Sequence, residues 1–168
     1  MNKSKLSVAS YALAFAATAL AYADASQPVL SANSEVAATP DRIARGKYLV
    51  TIAGCNDCHT PGYMANAGKV DEKTWLTGEQ LGWSGPWGTT YAVNIRLYMK
   101  DMTEAQWVHA ARHMKARPPM PWFTFEAMSD RDLRAIYQYV KTLGPAGEPA
   151  PAYLPPGVEP KGPVARFQ

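Results

Sequence analysis

The pentapeptide Cys55-Asn56-Asp57-Cys58-His59 contains both cysteines of the 168-residue chain. Cys-x-x-Cys-His is the attachment motif of c-type haem. Two thiols at this spacing reach the two vinyl groups on one edge of the porphyrin, where each forms a thioether. The adjacent His59 then lies beneath the iron as an axial imidazole ligand. The motif therefore predicts one covalently bound haem c, attached through Cys55 and Cys58.

Three other uses of a Cys-x-x-Cys pair fit this chain less well. A thioredoxin-type redox pair needs a surrounding βαβ pattern, which the sequence does not show. A closed zinc site needs four ligands, but there is no second cysteine pair, and His109 and His113 lie on a distant predicted helix. A structural disulfide closing so short a loop stabilises a fold little. A disulfide-exchange or binding module without haem therefore remains only as an alternative.

The N-terminus is typical of a secretory signal peptide. Two lysines precede an apolar run at 8–20, and small residues suitable for cleavage follow it. The run is shorter than the ~20 residues that a membrane-spanning helix needs. We expect cleavage after Ala25, with Ala23 as the alternative, so that 1–25 is removed. The mature protein is then expected in the periplasm, with no membrane span.

The rest of the chain divides into three parts: a flexible leader over 26–38, a domain over 39–144 and a proline-rich extension over 145–168. Prolines exclude a helix or a central strand from the extension, which is expected to lie extended on the domain or to be disordered. The formal net charge of +3 falls to about +2 without the signal peptide. That balance favours neither nucleic-acid binding nor strong membrane binding.

Apolar periodicity and capping residues predict three main helices, over about 39–54, 103–116 and 130–143. Their expected N-caps are Thr39, Thr103 and Ser129. Gln106 and Asp132 are expected to complete capping boxes in the second and third helices. The region 60–92 lacks a sustained period and is interpreted as loops around the haem edge. The expected fold is all-α, with three to five helices around one haem, long loops and an extended tail.

The sixth iron ligand is predicted from the stretch RPPMPW at 117–122. Pro119 and Pro121 stiffen the chain on either side of Met120, and a rigid loop that projects one thioether suits an axial ligand. The alternative is a proline-rich connector in which Met120 fills the core. Met64 lies too close to His59 to reach the other face of the haem, and Met114 and Met128 are assigned to packing. Met99 and Met102, which flank the turn before the second predicted helix, remain weaker options.

These features, in this order, resemble the class I c-type cytochromes. The stretches 88–95, 119–122 and 129–140 are similar to modules in the cytochrome subunits of periplasmic alcohol and gluconate dehydrogenases. The resemblance covers about 40–144. Those subunits carry several haem modules, whereas this chain has one haem motif.

The resemblance implies a cytochrome c fold with covalent haem at Cys55 and Cys58. It implies that His59 and Met120 are the axial ligands. It also implies that the first and last helices cross, near Gly46 and Tyr139.

Further residues are expected to contact the haem. Hydrogen bonds to the propionates are assigned to Tyr91, Asn94 and Arg96. The haem is also expected to be buried by tryptophans, which raises its reduction potential. The candidates, of which one or two are expected to touch the porphyrin, are Trp75, Trp83, Trp87 and Trp122.

The expected function is one-electron transfer by a periplasmic, single-haem carrier that is not an enzyme. Protein ligands on both faces of the iron leave no open position for a substrate. The expected partners are redox proteins, such as a periplasmic dehydrogenase, whose electron-transfer subunit this chain can be, and a terminal oxidase or another cytochrome. The alternative is a haem-based sensor of small molecules, or a peroxidase-like enzyme with a labile sixth ligand.

Overall fold

The computed structural model describes residues 37–168. The predicted signal peptide, 1–25, and most of the predicted leader, 26–38, lie outside the described residues. The helices are α1 (Pro40–Ile52), α2 (Cys55–His59), α3 (Ile95–Tyr98), α4 (Glu104–His113), α5 (Phe123–Ala127) and α6 (Asp130–Leu143), with a 3-10 turn at Glu72–Thr74. The strands are β1 (Gly82–Gly85), β2 (Gly88–Tyr91) and β3 (Val164–Arg166). Between 37 and 168, no helix has the length and apolar character needed to cross a membrane.

The three predicted N-caps are confirmed. Thr39, Thr103 and Ser129 each accept a hydrogen bond from a backbone N–H in the first turn of α1, α4 and α6. The capping box of α4 is complete. In α6 the Asp132 carboxylate instead accepts a hydrogen bond from Arg45 of α1, at 3.0 Å, so it links two helices.

The sequence predicts that the first helix runs directly into the cysteine motif, and this prediction is wrong. The helix ends at Ile52, and Gly54 takes a left-handed conformation with φ of 70°. A residue without a Cβ adopts this conformation at no steric cost. The turn at Gly54 lets α2 start in a new direction, with Cys55 in its first turn and His59 at its end.

Helices α1 and α6 cross at Gly46, as the resemblance implied. A Cβ atom on Gly46 would lie 2.0 Å from the carbonyl oxygen of Ala135 and 2.7 Å from the Cβ of Tyr139. Only glycine permits this approach of the two backbones. Around the crossing lie buried apolar side chains of both helices, among them Leu49, Val50, Leu133, Ile136 and Val140.

The prediction of an all-α fold is wrong in one respect, because the region 60–92 contains a β-hairpin. Strand β1 pairs antiparallel with β2, and the C-terminal strand β3 pairs parallel with β1, in the order β2-β1-β3. Strand β3 is thus an edge strand, which suits a proline-rich segment. The described part of the chain therefore consists of helices with one small sheet.

The C-terminal extension lies along the hairpin before it reaches β3. Leu154 and Thr89 exchange two backbone hydrogen bonds, of 2.8 and 3.0 Å. Further along, the N–H of Gly82 donates to the carbonyl of Pro163 at 2.9 Å. The extension therefore contacts β1 and β2 at two separate points.

Candidate haem site

A cavity of about 540 Å³ lies between α2, the β-hairpin, the 117–122 loop and the C-terminal extension. This volume falls within the ~300–1,000 Å³ typical of small-molecule and cofactor sites. Its lining is largely apolar, and it includes Cys55, Cys58, His59 and Met120. The fold thus brings together, at one cavity, the four residues that sequence reasoning assigned to haem attachment and iron ligation.

His59 is held in a defined orientation. Its Nδ1 atom lies 2.8 Å from the carbonyl oxygen of Val93, which follows β2. Burial lowers the pKa of His59, although the hydrogen bond to Val93 acts in the opposite direction. A neutral ring that donates from Nδ1 leaves the Nε2 lone pair free for a metal. Sequence reasoning missed Val93, since a backbone carbonyl has no signal in the residue type.

The two cysteines are free, partly buried thiols. Burial raises the pKa of Cys55 to about 11 and also raises the pKa of Cys58. Cysteines active in disulfide exchange have pKa values lowered to about 3.5–7.5. No group of three or more His, Cys, Asp or Glu side chains within 37–168 can hold a metal ion. The raised thiol pKa values therefore do not favour an exchange pair, and the described residues do not provide the four ligands of a closed zinc site.

Met120 is partly buried and packs against the core at the edge of the cavity. Its N–H donates to the carbonyl of Arg117 at 3.2 Å, which closes the loop on itself. Met114 and Met128 also line the cavity. Three thioethers therefore border the cavity, and Met120 is the one that lies inside the proline-braced loop.

Arg112 of α4 braces the chain on the C-terminal side of this loop. Its guanidinium donates to the carbonyls of Phe125, Glu126 and Met128, and to the Asp130 carboxylate at 2.8 Å. These bonds fix α5 and the start of α6 relative to α4. A single arginine in a helix carries no sequence signal for such a role.

Two buried polar groups at the cavity have no hydrogen-bond partner among residues 37–168: the indole Nε1 of Trp83 and the hydroxyl of Thr90. A buried donor left unpaired costs about 1–3 kcal/mol. A carboxylate can accept from both groups, and haem carries two propionate groups. The apolar lining, the thiol pair, the oriented imidazole and these two donors thus fit haem c.

The family model that matches this chain describes cytochrome c, and it covers residues 43–144. The chain belongs to the cytochrome c family. Membership implies covalently bound haem c and a role in electron transfer, as a carrier and not as a catalytic enzyme.

Several curated proteins are similar to this cytochrome. It is 29% identical over 120 residues to the fructose dehydrogenase cytochrome subunit of Gluconobacter japonicus, covering 65% of this chain and 23% of that one. It is 29% identical over 122 residues to one of the nicotinate dehydrogenase subunits of Pseudomonas putida, covering 66% and 9%. It is 28% identical over 125 residues to the cytochrome c subunit of the quinone alcohol dehydrogenase of Gluconacetobacter polyoxogenes, covering 66% and 24%.

The cytochrome thus corresponds to a quarter or less of the length of these relatives. No solved structure matches it.

Two of the predicted propionate contacts are not at the cavity of this cytochrome, although Tyr91 is. Arg96 donates to the carbonyls of Gly144, at 2.5 Å, and Lys73, at 2.7 Å. It thereby caps the C-terminal end of α6. Asn94 donates to carbonyls at the start of the C-terminal extension. Both side chains are occupied by backbone groups distant in sequence.

One of the four tryptophans that were expected to bury the haem is among the residues that line the cavity. Trp83 lines the cavity, and so does Trp107 of α4, for which the sequence predicts only a place on the apolar face of its helix. Trp87 lies outside the cavity, where its ring packs 5.6 Å from Phe167 and its Nε1 donates to the Trp83 carbonyl. The other two tryptophans that were expected to bury the haem, Trp75 and Trp122, are not among the lining residues.

Proposed function

We propose that this cytochrome is a single-haem periplasmic electron carrier in which His59 and Met120 are the two axial iron ligands. The observation that carries the proposal is that Cys55, Cys58, His59 and Met120 line one cavity. The haem, when bound, supplies reversible one-electron chemistry at its iron. A protein ligand on each face leaves no position for a substrate, so the chain transfers electrons and does not activate a small molecule.

The chain's own residues set the conditions for this transfer. Val93 fixes the ring of His59, so that one ligand keeps its place and tautomer. A thioether from Met120 raises the reduction potential relative to a second histidine. The apolar lining acts in the same direction, because it disfavours the more highly charged ferric state.

Trp83 and Thr90 are proposed to hold a haem propionate. Their unpaired donors are buried at the cavity, and a propionate oxygen satisfies each of them. This pair replaces Arg96 and Asn94, whose side chains are occupied elsewhere. Tyr91 stays a proposed contact because it lines the same cavity.

The proposed electron donor is a periplasmic dehydrogenase. The relatives above are named as cytochrome or other subunits of fructose, nicotinate and alcohol dehydrogenases, which supports a partner of this class. The proposed acceptor is a terminal oxidase or another cytochrome. The predicted signal peptide supports the periplasmic location. N-terminal sequencing of haem-stained periplasmic protein tests both the location and the cleavage point, with a mature start at Ser26 expected.

Substitution of Met120 by alanine tests the ligand assignment. The wild-type ferric protein is expected to show the far-red sulfur-to-iron charge-transfer band, and Met120→Ala is expected to lose it and become high-spin. Met114→Leu and Met128→Leu are matched controls that place a similar apolar side chain at the other two cavity methionines. Both are expected to keep the band.

Three outcomes contradict the proposal in distinct ways. A wild-type protein that is already high-spin and binds carbon monoxide readily would favour the sensor or peroxidase-like alternative. Loss of the band in Met114→Leu or Met128→Leu would transfer the ligand role to that methionine. Haem that is lost on denaturation would disprove covalent attachment at Cys55 and Cys58.

A further inference from the structure

The C-terminal extension borders the haem cavity, beyond the part of the chain that the family model covers. The match ends at residue 144, whereas Pro151, Ala152 and Tyr153 line the cavity. The extension therefore lies outside the matched module and next to the candidate haem site.

The extension is anchored to the hairpin at this point. Leu154 exchanges two backbone hydrogen bonds with Thr89, and the Tyr153 hydroxyl donates to the carbonyl of Trp87 at 2.8 Å. A Cβ atom on Gly88 would lie 2.2 Å from the carbonyl oxygen of Leu154, and Gly88 has φ of 94°. The hairpin thus provides a glycine where the extension passes closest.

The same tyrosine reaches the loop of the proposed axial ligand. The guanidinium carbon of Arg117 lies 3.8 Å from the centroid of the Tyr153 ring, which is a close cation–π contact. The carbonyl of Arg117 in turn accepts the N–H of Met120 at 3.2 Å. Arg117 therefore connects the extension, on one side, with the backbone of the proposed ligand on the other.

We propose that Arg117 and Tyr153 form a clasp that holds the Met120 loop closed over the cavity, which makes them positioning residues for the sixth ligand. The proposal rests on Met120 as the axial ligand. When the loop opens, Arg117 leaves the ring of Tyr153, while Tyr153 stays bonded to the hairpin. The clasp therefore adds to the closed state only.

The clasp has a measurable consequence for external ligands. Cyanide takes the iron position that Met120 holds, so its apparent affinity follows the fraction of molecules with the loop open. A cation–π contact at a partly exposed site shifts such an equilibrium roughly 2- to 5-fold. Removing the Tyr153 ring is expected to strengthen the apparent binding of cyanide to the ferric protein by that factor.

The experiment measures cyanide binding to the ferric holoprotein in Tyr153→Ala, Tyr153→Phe and Arg117→Gln. Tyr153→Ala and Arg117→Gln are each expected to bind cyanide about 2- to 5-fold more tightly than wild type. Tyr153→Phe keeps the ring, and although it loses the bond to Trp87 it keeps the two backbone bonds between Leu154 and Thr89, so it is expected to lie close to wild type. The double variant Arg117→Gln/Tyr153→Ala is expected to show no more than the larger single effect, since both changes remove one contact.

Tyr48→Ala is the matched control, because it removes a tyrosine ring that lies under Arg45, at 5.4 Å, on a surface away from the cavity. Its cyanide affinity is expected to equal that of wild type. Arg117→Gln keeps the test decisive if Tyr153→Ala fails to fold. An equal increase in Tyr48→Ala, or additive effects in the double variant, would overturn the clasp.

The two proposals fail in different ways. Absence of the sulfur-to-iron band from the wild type, or its survival in Met120→Ala, would overturn the ligand assignment itself. A band that depends on Met120, together with unchanged cyanide affinity in Tyr153→Ala and Arg117→Gln, would overturn the clasp alone.

Discussion

The substitution Gly46→Ala sets helix propensity against packing. Alanine is a better helix former than glycine by about 1 kcal/mol, so α1 considered alone becomes more stable. In the folded protein the new methyl group meets the Ala135 carbonyl oxygen at 2.0 Å and the Tyr139 Cβ at 2.7 Å. These atoms belong to the backbone and the root of a side chain, so no rotamer change removes the clash.

The helices must therefore separate by more than about 1 Å to restore normal contact. Overpacking of a core costs about 1–3 kcal/mol and occasionally more. A clash with fixed atoms lies at the upper end of that range, which leaves a net loss of about 2 kcal/mol after the gain in propensity. For a domain of this size the loss lowers the melting temperature by about 6–12 °C.

Thermal unfolding of the holoprotein, followed by far-ultraviolet circular dichroism, measures this loss. Gly162→Ala is the control: it makes the same chemical change where the nearest atom, the Gln80 carbonyl oxygen, lies 3.8 Å away. That variant is expected to remain within about 0.5 kcal/mol of wild type. A Gly46→Ala protein as stable as wild type, or more stable, would show that the two helices do not cross as closely as described.

Two further predictions concern the cavity and the acid limit of stability. Trp83→Phe removes one proposed hydrogen-bond donor to a propionate. The negative charge of the propionate is then less compensated, which favours ferric iron. The reduction potential measured in a redox titration is expected to fall by a few tens of millivolts, with the haem still attached. The pKa of Glu72 lies below its ordinary value, chiefly because Lys47 donates to it. This ion pair therefore stabilises the fold fully above the ordinary pKa of a glutamate. The stabilisation is lost as the pH falls through the lowered pKa of Glu72. In Lys47→Met, the free energy of unfolding, measured with urea between about pH 6 and 3, is expected to fall less steeply with falling pH than in wild type.

The parts of the fold that sequence reasoning predicted depend on local signals. Thr39, Thr103 and Ser129 each begin a helix because a side-chain oxygen accepts a hydrogen bond from the backbone N–H three residues ahead. The Cys55–His59 motif likewise places its chemistry within five residues. Such features are complete within one turn of the chain and need no tertiary context.

The missed features depend on partners that are distant in sequence. Strand β1 reads Gly-Trp-Ser-Gly, which has no alternation of apolar and polar residues, and it is a strand because β2 and the C-terminal β3 pair with it. Sequence reasoning assigns Arg96 to a propionate, although carbonyls near the end of α6 bind it. Val93 orients His59 through a carbonyl that every residue type possesses.

The loop of the proposed ligand is held at both ends by arginines, and the two ends differ in strength. Arg112 makes four hydrogen bonds to the segment after the loop, and the two that are partly buried contribute up to about 1.5–3 kcal/mol each as hydrogen bonds to a charged group. Arg117 makes one cation–π contact before the loop, worth about 0.5–2 kcal/mol. The loop is thus expected to open from the Arg117 end. Tyr153 of the C-terminal extension contacts that end of the loop. Exchange of the proposed sixth ligand is therefore expected to depend on a residue outside the matched cytochrome module.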